Sequence, residues 1–195
     1  MAPSLWVRRF APLIRPGGRV LDLAAGGGRH SLLLRHMGFR VVAVDRDIAG
    51  LALAADSGCE VIARDLEDGA PWSLGGDYAG TVVTNYLHRP LFPALREALA
   101  PGGVVIYETF AQGNERFGKP SNPDFLLRPG ELLAAFAGLT IVAFEQGIVD
   151  RPWPAALQRI AAIKDGGEAE IRLLGPTGAP LSATPPRAPA AAPPP

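Results

Sequence analysis

The chain has 195 residues, 48% of them apolar, with 19 acidic and 19 basic residues and a formal net charge of zero, which suits one soluble globular domain with a real core and gives no electrostatic reason to expect a nucleic acid partner. Its one cysteine, Cys59, excludes an internal disulfide and a paired-cysteine metal or redox site, and His30, His36 and His88 are not spaced as zinc ligands, so no metal is expected. No apolar run approaches the ~20 residues of a membrane span and the first residues lack a signal-peptide pattern, so no membrane association and a cytoplasmic location are expected.

In chain order, Trp6, Phe10 and Leu13 share one helical face, which predicts a short leading helix capped by Ser4 and ended by Pro16-Gly17-Gly18, with Trp6 in the core. Val20-Leu21-Asp22-Leu23 reads as a buried strand that opens through Ala24-Ala25 into Gly26-Gly27-Gly28, and Ser31 to Gly38 as the following helix. Strand, glycine loop and helix in that order make a nucleotide-type site. Glycines let the backbone approach a ligand, and the free N–H groups of the helix start favour anionic oxygens. Arg40 to Val44 is a second strand ending on Asp45, 23 residues after Asp22 and placed to accept two ribose hydroxyls.

Ile48 to Ala55 reads as a short alanine-rich helix, and Glu60 to Arg64 as a third strand ending on Asp65, for which a capping role is the alternative. Tyr78 to Thr84 is a fourth strand, followed by Asn85-Tyr86-Leu87-His88-Arg89-Pro90. Ligands of open parallel sheets lie beyond the C-terminal strand ends, so Asp22, Asp45, Asp65 and Asn85 point to one cleft. Leu91, Leu95 and Leu99 predict a core-facing helix from 91 to 99, and Pro101-Gly102-Gly103 a turn into a fifth strand that reaches Thr109. The polar stretch from Phe110 to Arg128 is long for a loop, with Phe117 and Phe125 available to anchor it. Its part from Gly113 to Pro123 is expected as a lid, with Arg116 meeting an anionic acceptor or else pairing with Glu115 or Glu131. Pro129 is expected as the first position of a helix over 130–136, followed by apolar stretches at Thr140 to Phe144 and Leu157 to Ile163 separated by Gly147 to Pro154. Residues 1–174 are expected to form the domain, and the proline- and alanine-rich segment 175–195 a disordered tail.

The stretch from Val20 to His30 resembles motif I of class I S-adenosylmethionine-dependent methyltransferases, usually apolar-apolar-Asp-x-Gly-Cys-Gly-x-Gly. Asp22, Gly26 and Gly28 fall on matching positions, while Ala24 and Ala25 replace the first glycine and the cysteine. The Gly28-Arg29-His30-Ser31 continuation looks like the tellurite-resistance-type branch, and Leu99-Ala100-Pro101-Gly102-Gly103 is similar to the family's Leu-x-Pro-Gly-Gly segment. The resemblance implies an α/β fold: a doubly wound, mostly parallel, Rossmann-like seven-stranded sheet closed by an antiparallel strand pair. It implies S-adenosylmethionine as cofactor, bound by Asp22, Ala24, Gly26, Gly28, Arg29, Asp45, Arg46, Asp65, Leu66, Asn85 and Tyr86, with Asp65 and Leu66 flanking the adenine. It also suggests a small acceptor.

Methyl transfer from a sulfonium is an in-line displacement that needs chiefly alignment and exclusion of water, and alignment lowers barriers by roughly 7 to 11 kcal/mol. No metal or covalent intermediate is expected. An acceptor that carries a proton benefits from a base; Tyr86, His88 and Glu108 are the candidates, with Arg116 at the acceptor. Their alternatives are packing with a satisfied hydroxyl for Tyr86, a helix cap for His88, and an ion pair with Arg116 or Arg128 for Glu108. Two other functions stay open: a non-catalytic S-adenosylmethionine-binding protein and an NAD(P)-dependent oxidoreductase. The second is disfavoured because Ser31 stands where a dinucleotide fingerprint needs its third glycine. The oligomeric state is not legible.

Overall fold

Runs such as Val41-Val42-Ala43-Val44 and Val104-Val105-Ile106 carry apolar side chains on both faces of a strand, so both faces of the sheet they build must be covered. The computed structural model describes residues 2–150, 153–164 and 175, and there each face has its own core. Val20, Val41, Ala43, Val82, Val104 and Ile106 pack with Trp6, Phe10, Ile14 and Leu34 on one side. Leu21, Val42, Val44, Val83, Val105 and Tyr107 pack with Leu95, Leu132 and Phe136 on the other.

The strands are β1 (Arg19–Leu23), β2 (Arg40–Asp45), β3 (Glu60–Ala63), β4 (Tyr78–Thr84), β5 (Leu99–Phe110), β6 (Thr140–Val149) and β7 (Ala155–Ile163). They form one sheet in the order β3-β2-β1-β4-β5-β7-β6. β1 to β5 run parallel, β7 lies antiparallel against β5, and β6 pairs antiparallel with β7. The order reverses on either side of β1, so β1 and β4 diverge at the switch point where open α/β sheets take their ligands. The helices are α1 (Leu5–Phe10), α2 (Arg29–His36), α3 (Ala52–Asp56), α4 (Leu91–Glu97) and α5 (Glu131–Ala135), with 3₁₀ turns at Ala11–Leu13, Ile48–Leu51, Asn114–Arg116 and Pro123–Phe125.

The leading helix forms as expected, with Ser4 Oγ accepting the N–H groups of Trp6 and Val7, and Trp6 is buried with its indole N–H donating to the Ile160 carbonyl at 3.2 Å. Three expectations need correction. Leu99 is not the last residue of a helix: it opens β5, where it pairs with Tyr78. Pro129 is not the first helical residue, because Gly130 in left-handed conformation, at φ +70°, is the N-cap and Glu131 begins α5. Nor do the closing strands stop at Phe144 or start at Leu157; β6 runs to Val149 and β7 begins at Ala155, pairing Gln146 with Gln158 and Val149 with Ala155. Among the described residues no helix is long and apolar enough to cross a membrane. The segment expected as a disordered tail lies outside the described residues except for Gly175.

Candidate functional site

Five parallel strands deliver their C-terminal ends to one edge, and the turn after β1 sets the geometry there. Ala24, Gly26 and Gly28 all have left-handed backbone, at φ +54°, +56° and +71°. That conformation suits glycine and strains alanine. A Cβ built on Gly26 or Gly27 would meet nothing within 4 Å, so both border open space rather than packed protein. The turn is tied to the next strand end: the Gly26 N–H donates to Asp45 Oδ2 at 2.8 Å and the Asp47 N–H to Oδ1 at 3.0 Å. Each carboxylate oxygen keeps a further lone pair.

Asp22 lies beneath this turn, buried at 1% exposure. It accepts a 2.5 Å hydrogen bond from Ser31 Oγ, which joins β1 to the first turn of α2. Burial raises its carboxyl from 3.8 to about 6, against the lowering effect of Ser31 and Arg29. Asp22 therefore shapes the loop from below and does not line the cleft. Gly28 is the N-cap of α2, and half-buried Arg29 is its first residue.

A cleft of about 420 Å³ opens beside the turn, walled by Ala24, Asp45, Arg46, Asp65, Leu66, Asn85 and Tyr86 from the strand ends. The structure thus brings Ala24 together with the residues expected after β2, β3 and β4, whereas Gly26, Gly28 and Arg29 are not among those that wall the cleft. Arg64, Glu67 and Phe125 line it too and were not foreseen. Glu67 stands two residues beyond Asp65 and donates its N–H to Asp65 Oδ1 at 2.9 Å, a spacing that a search of the strand end could have found. Nothing local marks Phe125. Asn85 has left-handed backbone at φ +54°, which turns the chain sharply out of β4. Tyr86 Oη is buried, with the Glu67 carboxylate as its neighbour. Burial, then the negative charge of Glu67, pushes its phenol far up, so it stays protonated. It is a donor at neutral pH.

Glu108 and Arg116 also sit differently from expectation. Glu108 pairs with neither Arg116 nor Arg128: Ser4 Oγ donates to its Oε1 at 2.7 Å and Arg159 to its Oε2 at 3.1 Å. Arg159 also bonds Glu145 and lies 4.8 Å over the Trp6 ring. The Ser4 N–H donates to His30 Nε2 at 3.0 Å, which assigns the proton of the neutral ring to Nδ1, 3.2 Å from Thr84 Oγ1. Desolvation lowers His30 from 6.5 to about 4. Ser4, His30, Thr84, Glu108 and Arg159 thus latch the leading segment to α2, β4, β5 and β7, a network that the sequence did not reveal.

Arg116 is exposed, donates to the Gly113 carbonyl at 3.1 Å and lies over its neighbour Phe117. It does not line the cleft, and its proposed partner Glu131 is taken by Arg89 at 2.6 Å. Phe117 and Phe125 are 40% and 48% exposed. The loop is anchored instead by Leu126 and Leu127, both buried. His88 is half-buried beyond β4 and does not cap α4, whose N-cap is Pro90 without a side-chain bond. No group of three or more His, Cys, Asp or Glu residues among those described is placed to hold a metal.

No protein-family model matches the chain. Over 119 residues it is 33% identical to a protein-L-isoaspartate O-methyltransferase of Methylorubrum populi, a match that covers 53% of this chain and 56% of that protein. The chain spans about half the length of the curated relatives it matches. In structure it superposes on TehB from Haemophilus influenzae with a TM-score of 0.68 at 18% identity, over 80% of this chain and 60% of that one. It superposes on an S-adenosylmethionine-dependent methyltransferase from Mesorhizobium loti with a TM-score of 0.65 at 19% identity, over 83% and 98% of the two chains. The seven-stranded, mostly parallel architecture is that of the class I S-adenosylmethionine-dependent methyltransferases, with TehB among its structural neighbours.

Proposed function

We propose that this chain, folded as a class I methyltransferase, transfers the methyl group of S-adenosylmethionine to a small acceptor. The observation that carries the reading is the junction of the glycine turn with Asp45, where the Gly26 N–H fixes a carboxylate at the wall of a nucleoside-sized cleft. The residues fit the cofactor. Gly26 and Gly27 leave open space where any side chain would intrude, and Asp45 and Asp65 stand with Leu66 in the wall of the cleft. Bound there, S-adenosylmethionine supplies a methyl group already activated on a sulfonium. The protein's task is then to orient the acceptor and exclude water.

In this reading the spare lone pairs of Asp45 accept the ribose hydroxyls, Asp65 and Leu66 flank the base, and Ala24, Gly26, Gly28, Arg29, Arg46 and Asn85 complete the binding surface from the turn and strand ends. Asp22 supports the turn through Ser31. Where the acceptor needs a base, the candidate is His88, which follows β4 at the edge where the strands end, whereas Glu108 is held in an ion pair with Arg159. The test is release of S-adenosylhomocysteine from S-adenosylmethionine in the presence of small thiols, metalloid oxyanions, phenols and carboxylates. Turnover with one of these supports the proposal. Binding of the cofactor without turnover of any acceptor class would favour a binding protein instead.

A further inference from the structure

Phe125 breaks the usual relation between size, polarity and position. It is a large apolar side chain, 48% exposed, beside two leucines that are fully buried, and it lines a cleft whose other walls are largely polar. Its backbone is nonetheless held tightly. Arg89 donates to the carbonyl of Asp124 at 2.6 Å and to the carbonyl of Leu126 at 2.9 Å, the peptide oxygens on either side of Phe125. The same guanidinium grips both oxygens of Glu131 at 2.6 and 3.1 Å, and Asn122 caps the turn at the Asp124 N–H. Two of these four hydrogen bonds fix the backbone on either side of a ring that no core covers, and the two to Glu131 hold the guanidinium in place. Preorganisation of this kind lowers the ordering cost of docking a ligand on the ring.

The surroundings indicate what docks. Leu66 supplies a second apolar surface, while Asp65 and Glu67 place carboxylate acceptors at the border of the same cleft. Two apolar faces with an acceptor-rich edge match a flat heteroaromatic base that carries an exocyclic amino group. We infer that Phe125 is a stacking face for the adenine of the bound cofactor and that Arg89 is the positioning residue that holds it there. The inference rests on the function proposed above and assigns the long loop after β5 a role in cofactor binding, through Phe125 rather than Arg116.

The test is calorimetric titration of the full-length protein with S-adenosylhomocysteine. Phe125→Ala is expected to weaken binding at least about fivefold, the lower end of what base stacking on an aromatic ring contributes. Phe125→Trp, which keeps a flat face, stays within about threefold of wild type, and its added indole emission is quenched by the ligand. Arg89→Met weakens binding in the wild-type background and adds little in the Phe125→Ala background, the non-additivity expected when one residue acts through the other. Should Arg89→Met fail to fold, Arg89→Lys, which keeps the charge beside Glu131 but lacks the planar fork that reaches both carbonyls, serves in the same cycle with the same expected pattern. Unchanged affinity in Phe125→Ala overturns the stacking role, and equal losses in both backgrounds overturn the positioning role. A wild-type protein that binds no S-adenosylhomocysteine overturns the proposed function itself, and this inference with it.

Discussion

Replacing Asp22 by Asn isolates one of two buried groups that titrate in opposite senses under the glycine turn. Burial raises the Asp22 carboxyl from 3.8 to about 6 and lowers the His30 imidazole from 6.5 to about 4. The raised carboxyl contributes stability that is complete below 3.8 and lost as pH rises through about 6. The lowered imidazole contributes stability that is complete above 6.5 and lost as pH falls through about 4. At ~1.4 kcal/mol per pH unit between folded and unfolded values, each amounts to about 3 kcal/mol. Between pH 4 and 6 the two slopes oppose each other, so the pair leaves little net trace in the wild type. Asp22→Asn keeps the shape and an acceptor for Ser31 but removes the carboxylate. The difference in urea-unfolding free energy between variant and wild type is expected to grow in the variant's favour by about 3 kcal/mol from pH 4 to 7. For His30→Asn the difference runs the other way, the wild type gaining about 3 kcal/mol over the variant across the same range. Taking differences cancels every other titrating group. A curve for Asp22→Asn that stays flat with pH would refute the buried, raised carboxyl and with it the arrangement beneath the turn.

Ala24 adopts a left-handed backbone at φ +54°, so Ala24→Gly relieves strain and is expected to stabilise the fold by about 0.5 to 1 kcal/mol in urea unfolding, after the entropy cost of glycine. Arg159→Met removes the cation from Glu108 and strands a nearly buried carboxylate; the expected loss is about 3 kcal/mol, read from the same denaturation curves, with Glu108→Gln in that background recovering part of it.

The parts of the fold that were legible are those whose signal is local. β1, its glycine turn and α2 follow from an apolar run, three glycines and a helical face, and Asp45 was placed by its spacing alone. The closing hairpin was read too short because Glu145, Gln146 and Gly147 carry no apolar pattern. They are strand residues because Arg159, Gln158 and Leu157 pair with them across β6 and β7. The site shows the same division. Strand-end acids are visible in one dimension, whereas the partners of Glu108 lie 104 and 51 residues away at Ser4 and Arg159. Phe125 lines the cleft from a turn bonded by Arg89, which lies 35 residues before Asp124. Contacts over such separations are set by the sheet order, which no spacing rule encodes.

If the edge where β1 and β2 end serves the ribose of S-adenosylmethionine, calorimetric titration of that compound into the wild-type protein and into Asp45→Ala separates the two. Charged hydrogen bonds of this kind contribute ~1.5 to 3 kcal/mol each. Saturable binding at one site is expected in the wild type, weakened by at least about tenfold in the variant, with the melting temperature of the unliganded variant showing that its fold is retained. No binding to the wild type, or the same affinity in a folded Asp45→Ala, would contradict that role for the edge.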